Sequence, residues 1–192
     1  NVDDDHLEFF GSMDNLQGAF RKFCALSSDS VLYNGDDPGS AEVVAGLPRQ
    51  LVSFGFGDGC NIQAVDPYEH RPARWAFTLR QNGQVLGEIR LDAPGRHNIY
   101  NALAACAGAM RLGASFEDCA RGLAAFAGTG RRLEKLGQTN GATIIDEHPN
   151  HPTEPKSVLA SPNAMATGAV WAPFHPYTPS PAQLLLAPLA PP

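Results

Sequence analysis

Pro94-Gly95-Arg96-His97-Asn98-Ile99-Tyr100-Asn101-Ala102-Leu103-Ala104-Ala105 marks the switch of pattern on which the fold turns. Pro94 and Gly95 break the chain. The Ala- and Leu-rich stretch that follows predicts a helix from near His97 to about Leu112, stopped by Gly113. A helix that starts after a glycine presents free N–H groups and the positive end of its dipole. Asn98 and Asn101 are three residues apart, so both face one side of the first turn. An Asn amide matches the donor and acceptor on a purine edge. The same segment also reads, more plainly, as a well-capped core helix.

Upstream of that break, from Leu51 to Leu91, the pattern is one of strands. Leu51-Val52-Ser53-Phe54 is one, and Trp75 to Arg80 alternates with period two. Gln81-Asn82-Gly83-Gln84 is a hairpin turn, because Asn-Gly accepts positive φ, and Val85 to Leu91 returns as the partner strand. These strands form a meander beside or within a main sheet. Further upstream, Met13, Leu16, Ala19, Phe20 and Phe23 recur at helical spacing behind Ser12 as N-cap, which predicts an amphipathic helix over 13–26. Val31 to Asn34 reads as a buried strand, Gly35-Asp36-Asp37-Pro38-Gly39 as a turn, and Ser40 to Ala45 as a short helix. Downstream, Ser115 and Asp118 are spaced as a capping box for a helix ending near Phe126, and Thr143-Ile144-Ile145 reads as a short buried strand ending at Asp146.

The chain has 192 residues, enough for one domain or for one domain and part of another. A formal charge of −6 argues against a general nucleic-acid partner, and no apolar run is long enough to cross a membrane. Asn1-Val2-Asp3-Asp4-Asp5 has neither the basic head nor the apolar stretch of a signal peptide, and it suits a chain that begins inside something larger. Cys24, Cys60, Cys106 and Cys119 form no Cys-x-x-Cys pair, so they read as reduced thiols of a cytoplasmic protein, mostly packed in the core. Eleven of the 16 prolines fall between Pro149 and Pro192, and that tail is expected to be loosely ordered.

Four segments carry groups that do chemistry. His6, beside Asp3-Asp4-Asp5, is able to ligate a divalent ion, although an acidic surface leading into a helix explains it as well. The asparagine pair is the second. Arg131-Arg132, between glycines in Gly128-Thr129-Gly130-Arg131-Arg132-Leu133-Glu134, reads as a phosphate clamp, an interdomain ion pair or a solvated linker. Asp146-Glu147-His148-Pro149-Asn150-His151-Pro152 invites a metal reading, but its prolines forbid a helix that would put both histidines on one face.

In order, these segments resemble the Mur ligase family. Asn1 to His6, Phe10-Gly11-Ser12-Met13-Asp14-Asn15-Leu16, Asn34-Gly35-Asp36-Asp37-Pro38, Gly95 to Ala105, Gly128 to Arg132 and Asp146 to Glu154 carry the likeness, which covers residues 1 to about 155. The Gly-Ser-Met-Asp-Asn-Leu stretch points to the alanine-adding branch. The resemblance implies an α/β fold: the later part of a central P-loop-type, Rossmann-like ATPase domain with a small antiparallel meander, then the start of a C-terminal α/β domain. It divides the chain into a partial ATP-binding domain at 1–130, a linker and first strand at 131–155, and a degenerate Pro-rich tail at 156–192. It implies ATP-dependent joining of L-alanine to UDP-N-acetylmuramate through an acyl phosphate, in peptidoglycan precursor synthesis in the cytoplasm, with ATP and Mg2+. Residue by residue, it makes His6 a magnesium ligand, and Asn98 and Asn101 the adenine contacts. Arg132 becomes the arginine that reaches the ATP phosphates, Glu147 a residue near the ribose, and His151 a residue near the amino-acid site.

The departures are specific. The family's Gly-x-x-Gly-Lys-Thr loop is not among these residues. Glu147 replaces an Asp, His148 a Tyr and Asn150 a His, and Phe174 to Ser180 resembles an altered Phe-Gln-Pro-x-x-Tyr-Ser-Arg-Thr without its arginine. The expectation is a ligase segment that is inactive by itself, needs a missing N-terminal half, and leaves an apolar face prone to self-association. Two alternatives remain: a non-catalytic nucleotide-binding or interaction module, and a metal-dependent hydrolase built on His6, His148 and His151.

Overall fold

The computed structural model describes residues 1–4, 6–148 and 160–173. Strand β1 (Ser30–Asn34) and strand β2 (Gln50–Gly55) are parallel and in register from Ser30↔Gln50 to Asn34↔Phe54. Helix α3 (Pro38–Val44) connects them. Strand β3 (Ile62–Arg71) is parallel to β2 only at Phe54↔Ile62 and Gly55↔Gln63, so it runs on past the end of β2. It carries the meander with it: β4 (Arg74–Gln81) and β5 (Gln84–Arg90) follow antiparallel, giving one sheet in the order β1-β2-β3-β4-β5. The β4–β5 turn has positive φ at both Asn82 (49°) and Gly83 (83°), the backbone that Asn-Gly was read to favour.

Helices cover the sheet from two sides, and period-two alternation assigns the residues. Val31 and Tyr33 of β1 point to a small cluster with Val43 and Val44 of α3, while Leu32 joins the larger core on the other face. That larger core holds Phe77, Leu79, Ile89, Ile99, Leu103 and Cys106, each essentially inaccessible to solvent. It lies under α4 (Asn98–Arg111) and α5 (Phe116–Ala125). Ser115 and Asp118 complete the expected capping box of α5. Arg111 ties the C-terminal end of α4 back to the edge of β1 through a two-point pair with Asp29, at 2.8 and 2.7 Å.

Several expectations are corrected. The helix expected at Ser40 begins two residues earlier: Pro38 occupies its first turn and Asp37 caps it by accepting from the Ser40 N–H at 2.8 Å. The strand at 143–145 is not buried. It is β7 (Ala142–Asp146), half-exposed in a two-stranded antiparallel sheet with β6 (Glu134–Thr139), which the sequence reading did not separate. A hairpin standing alone has no second layer to cover it. Helix α2 (Met13–Ala25) follows a short helix, α1 (Leu7–Phe10), and buries only Leu16, leaving Phe23 and Leu26 72% and 81% exposed. The Pro-rich tail is not uniformly irregular, because residues 160–165 are helical and Ser161 is buried. His151, Asn150 and the stretch from Phe174 to Ser180 lie outside the described residues. No helix among the described residues is long and apolar enough to cross a membrane.

Candidate functional site

Parallel strands and the N-termini of the helices packed on them converge at the carboxyl edge of the sheet, where open α/β sheets place their ligands. Here that edge is built from the loop after β1, the glycine-rich loop Gly55-Phe56-Gly57-Asp58-Gly59-Cys60 after β2, and the first turn of α4.

The asparagine pair is organised as a relay. Asn98 Nδ2 donates to the Pro94 carbonyl at 2.7 Å, and Asn101 Nδ2 donates to Asn98 Oδ1 at 2.9 Å. The fixed carbonyl of Pro94 sets the orientation of the first amide, and the first sets the second. Asn101 is exposed, and among the described residues its Oδ1 and remaining N–H make no hydrogen bond. Both asparagines stand at a cleft of about 530 Å³ between α4 and α5, whose other walls, apart from Asp118, are apolar and include Cys106, Cys119, Leu123 and Phe126. Cys106 lies against Cys119, and burial pushes its thiol up to about 12.

Asp36 braces the same edge. Its carboxylate accepts from the Phe56 N–H at 2.6 Å, the Gly57 N–H at 3.0 Å and the Tyr100 hydroxyl at 3.0 Å. Loop, strand end and helix start are thereby joined through one side chain. Burial, then the Asp36 carboxylate, pushes the Tyr100 phenol up to about 12. Phe56 meets Tyr100 edge-to-face at 5.0 Å between ring centroids. Arg96 lies over the Phe56 ring at 4.9 Å and over Trp75 at 5.8 Å.

Arg132 and Glu147, far apart in sequence, are brought together. The Arg132 guanidinium is 3.5 Å from Glu147 Oε1, and Glu147 Oε2 accepts from the Leu133 N–H at 2.6 Å. Both also act on His97: desolvation lowers its pKa first, Glu147 opposes that, and Arg132 adds to it. His97 therefore favours its neutral form near pH 7. His6, in a left-handed backbone conformation (φ 56°), has its Nδ1 3.7 Å from Glu8 Oε1. Among the described residues no three His, Cys, Asp or Glu side chains meet at one point. An imidazole beside a carboxylate is a donor set of the kind that a hydrated divalent ion accepts.

The sequence reading found the asparagines but not the Asp36 brace, the Arg96 stack or the apolar cleft. The local signal for the brace was the glycine-rich run after β2. Its partner Tyr100 is 64 residues from Asp36, and no spacing rule reaches that far.

The Mur ligase middle-domain model matches residues 1–109. UDP-N-acetylmuramate–L-alanine ligase of Caldanaerobacter subterraneus subsp. tengcongensis is 34% identical over 192 residues, covering 99% of this chain and 42% of the relative. The chain thus spans less than half the length of that curated relative. The crystal structure of MurF from Acinetobacter baumannii superposes with a TM-score of 0.69 at 30% identity, over 82% of this chain and 34% of that one. MurF ligase from Thermotoga maritima, solved in complex with ADP, shares the fold with a TM-score of 0.68 at 19% identity, over 84% of this chain and 37% of that one.

Proposed function

We propose, because the chain belongs to the Mur ligase family, that residues 1–155 supply part of the ATP site of an enzyme that joins L-alanine to UDP-N-acetylmuramate. The amide relay at the mouth of the apolar cleft carries this reading. With Asn98 locked by Pro94, Asn101 offers Oδ1 as an acceptor and its second N–H as a donor, side by side. Adenine presents the complement on one edge, an exocyclic amine beside a ring nitrogen. Guanine presents a carbonyl where adenine has the amine, so it meets the Asn101 oxygen acceptor to acceptor.

The other residues follow from that placement. Arg132 faces the phosphates and Glu147 helps to hold it: removing the Glu147 carboxylate takes away the ion pair at 3.5 Å and releases the Leu133 N–H. Neutral His97 adds no charge of its own beside Arg132. His6 is the residue here that would hold Mg2+, which when bound supplies positive charge against the phosphates. His151 belongs to this proposal by resemblance to the family's amino-acid site. Residues 1–130 are assigned to the central ATP-binding domain and 131–155 to the passage into the next.

These 192 residues include no Gly-x-x-Gly-Lys-Thr stretch. For this polypeptide on its own we therefore propose nucleotide binding without turnover, because the loop whose lysine meets the transferred phosphate in the family is not among these residues. Titration calorimetry with ATP and GTP tests the reading. ATP is expected to bind more tightly than GTP, and Asn101→Ala to abolish that preference while leaving the thermal melt unchanged. Equal affinity for the two nucleotides, or preference surviving in Asn101→Ala, would refute adenine recognition by this pair.

A further inference from the structure

We propose that Arg96 is an oxyanion-binding residue, held by the rings of Phe56 and Trp75 to receive a phosphoryl group. The assignment to a phosphoryl rather than a carboxylate group rests on the nucleotide reading above. The oxyanion site itself does not.

Arginine on a protein surface ordinarily finds a carboxylate or a carbonyl. Arg96 is exposed, and among the described residues its guanidinium makes no hydrogen bond or ion pair: it lies over the two aromatic rings, at 4.9 and 5.8 Å from Cζ, and acts on the Tyr100 phenol only through its charge. Ring contact engages the faces of a guanidinium and leaves its in-plane N–H donors unspent. Those donors form the fork that suits a phosphoryl or carboxylate oxygen pair. Losing little rotamer freedom on binding, a side chain already stacked in place gains more per hydrogen bond than a mobile one.

The platform is itself fixed. Asp36 consumes the N–H groups of Phe56 and Gly57, so the loop that presents the Phe56 ring is tied down. The same two amides are then not available to cradle an anion, whereas the in-plane donors of Arg96 are. Two residues on, Asn98 opens helix α4, whose N-terminal dipole adds favourable potential for negative charge. On its other side Gly95 has φ +102°, and a Cβ there would overlap the His97 ring and come within 3.2 Å of Ser161 Oγ. Arg96 is thus flanked by a tightly packed turn and by the adenine-facing pair, which suits one ligand with a base and a phosphate chain.

Trp75 makes the site observable. Trp171→Phe removes the only other tryptophan, which is 88% exposed, and leaves Trp75 emission as a direct report on its neighbour Arg96. The Trp171→Phe chain is titrated with pyrophosphate and, separately, with acetate, at constant ionic strength. A saturable change with pyrophosphate is expected, weakened about tenfold or more in Arg96→Ala, partly restored in Arg96→Lys, and weakened in Phe56→Leu. Acetate saturating in place of pyrophosphate would overturn the phosphoryl assignment. No saturable change with either anion, in a chain that still melts cooperatively, would overturn the site. Because pyrophosphate has no base, its binding is separable from adenine recognition: loss of the ATP-over-GTP preference with pyrophosphate binding intact would refute only the adenine reading.

Discussion

Gly55→Ala is expected to destabilise the protein although it adds one methyl to a residue already in an ordinary strand conformation. The new Cβ would sit 2.5 Å from Asp36 Oδ2, 2.7 Å from Cγ and 2.8 Å from Oδ1, inside any real contact distance. Gly55 is buried, so the backbone of β2 is not free to move away. The carboxylate must therefore leave, and with it go the hydrogen bonds from the Phe56 N–H, the Gly57 N–H and the Tyr100 hydroxyl. Asp36 is exposed, so each bond is taken at the ordinary net value of about 1 kcal/mol rather than the larger value for a buried charge. The loss is then about 2–3 kcal/mol, or roughly 4–12 °C in Tm for a chain of this length. Urea unfolding followed by circular dichroism measures it. The decisive comparison is a double-mutant cycle. Asp36→Ala removes the same three bonds, so Gly55→Ala in that background should cost almost nothing further. Additive costs, or a Gly55→Ala variant within about 0.5 kcal/mol of the parent, would show that Asp36 does not brace this edge.

Two further outcomes follow from the titrating groups. The Tyr100 phenol, held up to about 12 in the folded chain against an ordinary value of 10.0, binds its proton more tightly when folded. Its contribution is complete below pH 10 and is lost as pH rises toward 12; Tyr100→Phe should flatten that decline in a pH series of urea midpoints, and an unchanged decline would exclude Tyr100 as its source. Cys106, buried and pushed up to about 12, and Cys119, also buried, should react with a thiol reagent at pH 8 far more slowly than half-buried Cys24 and Cys60. Peptide mapping by mass spectrometry reads the order, and early labelling of Cys106 would contradict its burial at the foot of the α4–α5 cleft.

Much of the framework was legible because it is written in local rules. Ser12, Ser115 and Asp118 cap the helices they were read to cap, and Asn82-Gly83 turns the hairpin it was read to turn. Asn98 and Asn101 meet because residues three apart on a helix are neighbours. The misreadings have local causes too. Asp37 and Pro38 look like turn residues, but the same pair serves as cap and first turn of a helix. Thr143-Ile144-Ile145 looks buried because it is apolar, yet among the described residues its only sheet partner is β6, so its faces stay partly open.

By itself the sequence determined the helix and strand periods, the turn chemistry, the asparagine pair and the family, since each rests on residue order within one element or on a series of such motifs. Tertiary structure alone decided what those elements do to one another. It put the Asp36 carboxylate under two loop amides and the Tyr100 hydroxyl, laid Arg96 across Phe56 and Trp75, and paired Arg132 with Glu147. Contacts of that kind depend on the register of distant strands and the seat of α4 on the sheet. No short-range pattern encodes them, because the energy that selects them is the burial of a shared core.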